Sequence, residues 1–333
     1  MRVPCAVVPK LEAPKFINFG LKRDYIDKTL KIVPKGVEII VPLKCVPENI
    51  ILKTMEVRIE EYDMPSRKAS IGIREILNRN GINNRRIGWE RLGNAIVFNR
   101  YFDGIEIVAK EIVINHLGQQ VYLVSDKISN QERKPRMTLV YGKSGEIRMR
   151  ENGAIFLFDP SSIMFSKGNV VERGLNNLKN LRISDAVDMF AGIGYFSLPL
   201  AKMENINKIT SIDINPASIS YLKKSAEVNG VSHKIQAVCM DCRNFYSPDR
   251  ADLVLMGNFK SKEYLVHGLR RTRNNGYILL HHLEETSSIE SGIYQISSMG
   301  KAMGYTLSLI ESHPVKSYAP HTWHLSSIFR VTF

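Results

Sequence analysis

The 333-residue sequence holds only four cysteines, Cys5, Cys45, Cys239 and Cys242, too few and too scattered to staple a chain of this size with disulfides. Cys239 and Cys242 make a C-x-x-C pair. Neither further ligands at zinc spacing nor a thioredoxin-like strand-to-helix context accompanies it, so no metal and no redox centre is expected; the pair reads as small buried residues at a strand end. Long hydrophobic runs are also missing: no stretch approaches the ~18 uninterrupted apolar residues of a membrane span. The opening MRVPCAVVPKLEAPK lacks the apolar run and small-residue cleavage pattern of a secretory leader. A cytoplasmic location with no membrane role is the expectation. Acid is in deficit, 33 Asp and Glu against 46 Lys and Arg, for a formal charge of +13. Between Arg67 and Arg91 seven basic residues (Arg67, Lys68, Arg74, Arg79, Arg85, Arg86, Arg91) face only Glu75 and Glu90. A second stretch, Arg133, Lys134, Arg136, Lys143, Arg148 and Arg150, contains Glu146 alone. One such cluster is an ordinary solvated surface, but two in one half of a chain suit a polyanion, and nucleic acid is the partner expected.

What is present divides into three parts. From Ala6 to about Lys44 the pattern predicts a short apolar strand, a helix near Lys15–Phe19, and strands at Leu30–Val33 and Val37–Pro42, followed by a linker or extra strand up to Met64. The middle is basic and mixed: a helix over Ser70–Asn80, then strand-like stretches at Ile87–Phe98, Ile105–Ile114, Met137–Val140, Ile147–Met149 and Ala154–Phe158, separated by glycines. After Val187 strands and helices alternate regularly, with strands expected at 186–190, 208–213, 235–240, 252–256 and 277–282, so a parallel sheet covered on both faces is predicted. Thr306–Glu311 and Leu325–Phe333 leave no room for a crossover helix and should form an antiparallel pair at the sheet edge. The expected domains are 1–62, 63–160 and 161–333.

The run Asp188-Met189-Phe190-Ala191-Gly192-Ile193-Gly194 closes an apolar strand and opens the predicted helix Tyr195–Met203. Glycine is required where backbone must touch a ligand without an intervening Cβ. Asp213, 21 positions after Gly192, falls where a carboxylate holds two ribose hydroxyls at the end of the next strand. Ile214 and Asn215 are placed to line an adenine edge, and Asp241, with the Cys242 backbone beside it, to receive the adenine amino group. Two glycines alone also fit a nicotinamide dehydrogenase. The third glycine of the dinucleotide fingerprint is missing, Ser197 standing in its place. Together with the terminal antiparallel pair, this points to S-adenosylmethionine rather than a pyrophosphate ligand.

Asp188 to Leu200 (DMFAGIGYFSLPL), Ile163 to Arg173 (IMFSKGNVVER), Met256 to His282, and Val315 to His324 (VKSYAPHTWH) together resemble the archaeal and eukaryotic tRNA guanine-37 modification family. The resemblance implies an α/β fold, a class I S-adenosylmethionine-dependent transferase with a Rossmann-type, mostly parallel sheet and a terminal antiparallel strand, preceded by two smaller α+β tRNA-binding domains. One branch of the family N1-methylates guanine 37; the other moves the 3-amino-3-carboxypropyl group of S-adenosylmethionine to the tricyclic wyosine precursor made from that guanine. Base N-methyltransferases carry Asn followed by Pro after the fourth strand. This chain reads Met256-Gly257-Asn258-Phe259-Lys260, which is similar to the Met-Gly-aromatic pattern of the aminocarboxypropyl branch, with Asn258 as a departure. The leading expectation is therefore aminocarboxypropyl transfer to 4-demethylwyosine of tRNA(Phe), read at its anticodon loop by a monomer. N1-methylation is the alternative, and a catalytically silent tRNA-binding protein a third reading. By position the resemblance also implies Phe165, Ser166 and Arg173 at the cofactor, with Phe190, Ala191 and Gly257, and Glu172 as general base with Asn258 on the base. Lys167 is a further candidate, and Leu175 stands where the family has a basic residue. Neighbours on a strand face opposite ways, so His281 and His282 cannot hold one metal; one is expected packed and one near the cleft. Tyr195, Phe259 and Trp323 are candidates to stack on a splayed base.

Overall fold

The computed structural model describes residues 2–47, 57–64, 71–84, 86–124, 137–165 and 169–333. The chain packs as two compact units, Met1–Arg79 and Asn80–Phe333. In the first, β1 (Arg2–Pro9), β2 (Val33–Lys35), β3 (Glu38–Pro42) and β4 (Arg58–Asp63) make an antiparallel sheet in the order β2-β3-β1-β4. Pairing on both sides makes β1 central, which accounts for its unbroken buried run Cys5–Val8. Helix α1 (Ala13–Lys22) buries Ala13, Phe16 and Gly20, and Phe16 closes a small core with Ala6, Val8, Ile26 and Val41. The stretch before Met64 thus contains a fourth strand, and α2 (Ile73–Arg79) ends the unit.

The second unit opens with β5 (Trp89–Leu92), β6 (Ala95–Phe98), α3 (Ile105–Ile114), β7 (Gln120–Val124) and β8 (Met137–Gly142), forming a sheet in chain order with β6 and β7 parallel. The stretch Ile105–Ile114, rich in β-branched residues and read from sequence as a strand, is a helix. Gly104 at φ +84° opens it, and Ile105, Val108, Ala109 and Ile112 are buried at i, i+3, i+4 and i+7. A parallel β6–β7 pair needs a crossover of this kind, so tertiary demand overrides local β preference. The hairpin β9 (Ile147–Glu151) and β10 (Ala154–Phe158) follows.

The remainder is the expected sheet: β11 (Asp185–Asp188), α4 (Ser197–Ala201), β12 (Lys208–Asp213), α5 (Pro216–Val228), β13 (Ile235–Cys239), β14 (Ala251–Met256), α6 (Leu265–Arg271), β15 (Thr272–Glu285), α7 (Ile289–Ala302), β16 (Thr306–Ala319) and β17 (Thr322–Thr332). Strand order is β13-β12-β11-β14-β15-β17-β16, with β11 to β15 parallel and β17 antiparallel between β15 and β16. The order reverses between β11 and β14, and open sheets of this type bind ligands at the carboxyl ends flanking such a reversal. Asp188 and Met256 end those two strands.

The compact units meet at 79/80, whereas the sequence reading places breaks at 62/63 and 160/161. The physical reason is a continuous core: Leu92, Val97, Tyr122, Phe156 and Phe158 share one buried cluster with Leu198, Leu255 and Ile328. The hairpin is fastened to α5 as well. The edge of β10 is satisfied by side chains, Ile155 N–H donating to Asn229 Oδ1 (2.9 Å), Asn229 Nδ2 to Ile155 O (2.6 Å) and Leu157 N–H to Ser225 Oγ (3.0 Å). An unpaired strand edge is thereby closed.

Candidate active site

The loop after β11 is built around a buried acid. Asp188 is fully buried, accepting from Ser197 Oγ (2.7 Å) and from Phe190 N–H (3.3 Å). Burial outweighs these bonds and pushes its carboxyl up to about 7. Both oxygens are engaged inside the fold, so Asp188 braces the loop. Ser197, marked in the sequence only as a missing glycine, supplies the brace and itself accepts from Ser211 Oγ (2.8 Å). Gly192 and Gly194 adopt φ +54° and +93°. A Cβ at 194 would stand 2.5 Å from Leu222 Cδ1 and 2.8 Å from Leu198 Cγ, so α4 and α5 converge on bare backbone. Ala191 N–H donates to Ile212 O (2.9 Å), tying the loop to β12. Phe190 packs edge-on against Tyr264 at 5.1 Å.

At the end of β12 the Asp213 carboxylate accepts from Gly192 N–H (2.7 Å) and Asn215 N–H (2.9 Å). Burial raises its pKa. Each oxygen keeps acceptor capacity for one more donor. Ile214, beside it, is 63% exposed, an apolar platform at the cleft. Asn215 Oδ1 receives Ala217 N–H (2.9 Å) and caps α5. Asp241 is held by Arg243, which donates from its backbone (2.8 Å) and its guanidinium (2.6 Å), and that contact lowers the carboxyl's pKa. Cys242 is buried, its thiol pushed up to about 11 by burial. Burial at Cys242 is as expected, whereas Cys239, also expected buried, is exposed at the end of β13. The turn carrying Cys242 is clamped by buried Arg271, donating to Cys242 O (2.6 Å) and to Phe245 O, a role with no sequence signal.

Glu172 lies at the other side of the sheet's carboxyl end, buried in a 3-10 turn, Glu172–Gly174. Its Oε1 accepts from Ser326 Oγ (2.5 Å) and its Oε2 faces His313 Nε2 (2.8 Å); His281 Nε2 stands 3.4 Å from Oε1 without hydrogen-bond alignment. The convergence follows from register. Ser326 on β17 is the direct partner of His281 on β15 and of His313 on β16, so the three side chains share one face. Burial alone would raise the Glu172 carboxyl, but His281, Ser326 and His313 together hold it at about 2. It is an ionised acceptor and a weak base in this arrangement. Acting as the expected general base requires exchanging one of these contacts for the target. His281 Nδ1 also meets His324 Nε2 (2.9 Å), and His324 is pushed down to about 3 by burial and by the neighbouring His281. His282 faces the opposite side of β15, and both histidines are buried, where one was expected near the cleft. A cavity of about 220 Å³ opens between Asn169–Glu172 and His313–Val315.

Arg173, expected at the cofactor, donates bidentately to Glu151 of β9 (2.5 and 2.7 Å) and lies over the rings of Phe165 (5.1 Å) and Tyr195 (5.2 Å). Phe165 stacks on Phe158 at 5.0 Å, inside this aromatic cluster rather than in the cleft. Ser166 and Lys167 lie outside the described residues. Gly257 leaves no space for a side chain, because a Cβ would come 2.8 Å from Phe196 Cε2. Asn258 Oδ1 accepts from Lys260 N–H (3.0 Å), closing a local turn. Phe259 packs edge-on against Tyr318 (5.1 Å) and His324 (4.8 Å). Among the described residues no His, Cys, Asp and Glu cluster is suited to a metal, and no helix is long and apolar enough to cross a membrane.

Residues 147–307 match the TRM5/TYW2 methyltransferase domain. The tRNA(Phe) (4-demethylwyosine(37)-C(7)) aminocarboxypropyltransferase of Methanocaldococcus jannaschii is 30% identical over 241 residues, 72% of this chain and 96% of that relative. The crystal structure of P. horikoshii TYW2 in complex with MeSAdo superposes with a TM-score of 0.66 at 26% identity, over 78% of this chain and 98% of its own. Trm5b from Pyrococcus abyssi reaches 0.66 at 23% identity over 99% and 100%, a likeness of fold. The sheet order, the glycine loop braced on Asp188 and this kinship together place the chain in the TRM5/TYW2 family, with its class I methyltransferase fold.

Proposed function

We propose that this chain transfers the 3-amino-3-carboxypropyl group of S-adenosylmethionine to 4-demethylwyosine at position 37 of tRNA(Phe), releasing methylthioadenosine. The carrying observation is the loop after β14. Base N-methyltransferases carry Asn followed by Pro at this point; here Phe259 follows Asn258, Lys260 N–H closes a local turn on Asn258 Oδ1, and Gly257 presents bare backbone against Phe196. The kinship with aminocarboxypropyltransferases supports the same choice.

The residues present fit S-adenosylmethionine. Asp213, pre-oriented by two backbone N–H groups, has acceptor capacity for ribose hydroxyls; exposed Ile214 offers an apolar face to adenine; and the Asp241–Cys242 turn is held ready at the adenine edge by Arg271. The bound sulfonium supplies an electrophilic γ-carbon, whose bond to sulfur breaks with its electron pair as the base carbon bonds to it, and the base then loses a proton. Glu172, ionised and anchored by three strands, is placed to hold the target or to accept that proton once a contact is exchanged. The α+β elements ahead of residue 161 grip the tRNA in this reading, and Arg86, Arg91, Lys143, Arg148 and Arg150 are exposed among them. The enzyme works as a cytoplasmic monomer on the anticodon loop. Incubation with precursor-containing tRNA(Phe) and chromatography of the nucleoside by-product tests it: methylthioadenosine is expected, and S-adenosylhomocysteine alone would overturn it.

A further inference from the structure

A second polar network lies on the face of β15 opposite Glu172 and takes no part in the chemistry above. His282 Nδ1 meets Glu284 Oε1 (2.6 Å), and His282 Nε2 meets Ser327 Oγ (2.8 Å), which in turn meets Ser312 Oγ (2.8 Å). Glu284, 9% exposed, closes an ion pair with Lys262. A helix even gives way for it: at Gly292 of α7 a Cβ would fall 2.2 Å from the Glu284 carboxyl carbon. Packing does not require such an arrangement, since buried ionic groups carry a desolvation cost that apolar residues of similar volume avoid. Its geometry ends on one element. Lys262 follows directly on the loop Gly257–Lys260; Lys260 and His282 form a backbone bridge; and Ser261 Oγ donates to Met256 O (2.6 Å) and Asn258 O (2.5 Å). The loop is thus pinned to its own strand by Ser261 and to β15 by the Lys262–Glu284–His282 chain. A displacement reaches the site, because Phe196 fills the space a Cβ at Gly257 would take and packs edge-on against His281 at 5.3 Å.

We infer that Glu284, supported by His282 and given room by Gly292, is a positioning residue: through Lys262 it fixes the Gly257–Phe259 loop in the geometry that aligns the target base for group transfer. The inference rests on the proposed transfer reaction. Full-length Glu284→Gln and Gly292→Ala variants are compared with wild type for kcat and KM with precursor-containing tRNA(Phe), for affinity for methylthioadenosine by calorimetry, and for thermal midpoint. Both variants are expected to lose at least tenfold in kcat, with KM for tRNA and methylthioadenosine affinity within twofold of wild type. Shortening the acid in the double variant Gly292→Ala/Glu284→Asp relieves the contact and restores at least a third of the lost rate. Folded variants with wild-type kcat would overturn the inference, as would equal losses of kcat and methylthioadenosine affinity. If Glu284→Gln fails to fold, Gly292→Ala carries the test alone. A wild-type protein that releases no methylthioadenosine refutes the transfer reading instead, and the two failures are distinguishable.

Discussion

Removing Glu151 takes the bidentate carboxylate partner away from a buried guanidinium. The Glu151 and Arg173 side chains are 4% and 3% exposed and joined by two hydrogen bonds of 2.5 and 2.7 Å. Breaking a buried pair by deleting one partner costs about 3–5 kcal/mol, because the survivor stays buried and uncompensated. The Phe165 and Tyr195 rings against the guanidinium attract a cation, but more weakly than a bidentate carboxylate does. For a unit of this size 1 kcal/mol moves the thermal midpoint by about 2–4 °C, so Glu151→Ala is expected to lower the transition of the 80–333 unit by about 6–20 °C. Arg173→Ala should cost a similar amount, and the double variant Glu151→Leu/Arg173→Met should recover most of it, since apolar replacement of both partners is often neutral. Differential scanning fluorimetry at constant pH and salt reads all three. A midpoint for Glu151→Ala within 2 °C of wild type, or a double variant as unstable as the singles, would refute the reasoning. The neighbouring turn carries Glu172 and is also tied by Asn152 Nδ2 to Val170 O (2.7 Å), so Glu151→Ala should lower kcat as well.

Three further outcomes follow from other parts of the site. Glu172 has a folded pKa of about 2, below its ordinary 4.5; a depressed carboxyl contributes stability that is present above the unfolded value and lost as pH falls through the folded one. Glu172→Gln should therefore be less stable than wild type by about 3 kcal/mol near neutrality, the two converging between pH 4.5 and about 2 in urea titrations; a constant gap across that window contradicts the assignment. Gly194→Ala combines a φ of +93° with a Cβ 2.5 Å from Leu222 Cδ1, and about 3 kcal/mol of lost stability with at least tenfold weaker methylthioadenosine binding is expected by calorimetry; wild-type affinity would show that the loop tolerates a side chain. For tRNA, affinity should fall by at least tenfold between 50 and 200 mM salt, and replacing exposed Arg148 and Arg150 with Ala should shrink the logarithmic salt slope by about 2; a slope that does not change removes β9 from the interface.

The glycine loop, Asp213 and the alternation after Val187 were legible because their chemistry is local. A strand end, a positive φ and a carboxylate one strand on recur at short, regular spacing. The edge hairpin was visible too, though β16 and β17 extend well beyond the expected limits, since pairing rather than composition sets their length. The same local patterns misled where tertiary context ruled. Ile105–Ile114 carries β-branched residues yet serves as a crossover helix. The amide oxygens of Asn215 and Asn258 cap a helix and close a turn, contacts that the sequence reading did not foresee. Glu151, Ser326 and His313 carry no signature at all, because each acquires its role from a residue 22, 154 or 141 positions away.

By itself, then, the sequence determined the class of fold, the glycine loop with the carboxylate one strand on, and the excess of basic charge, all of which depend on neighbours in the chain. Only the tertiary structure decided the state of the Glu172 carboxylate. Three strands in register present Ser326, His281 and His313 to Glu172 on one face, and it is their combined hydrogen bonding and charge, set against burial, that keeps the group ionised.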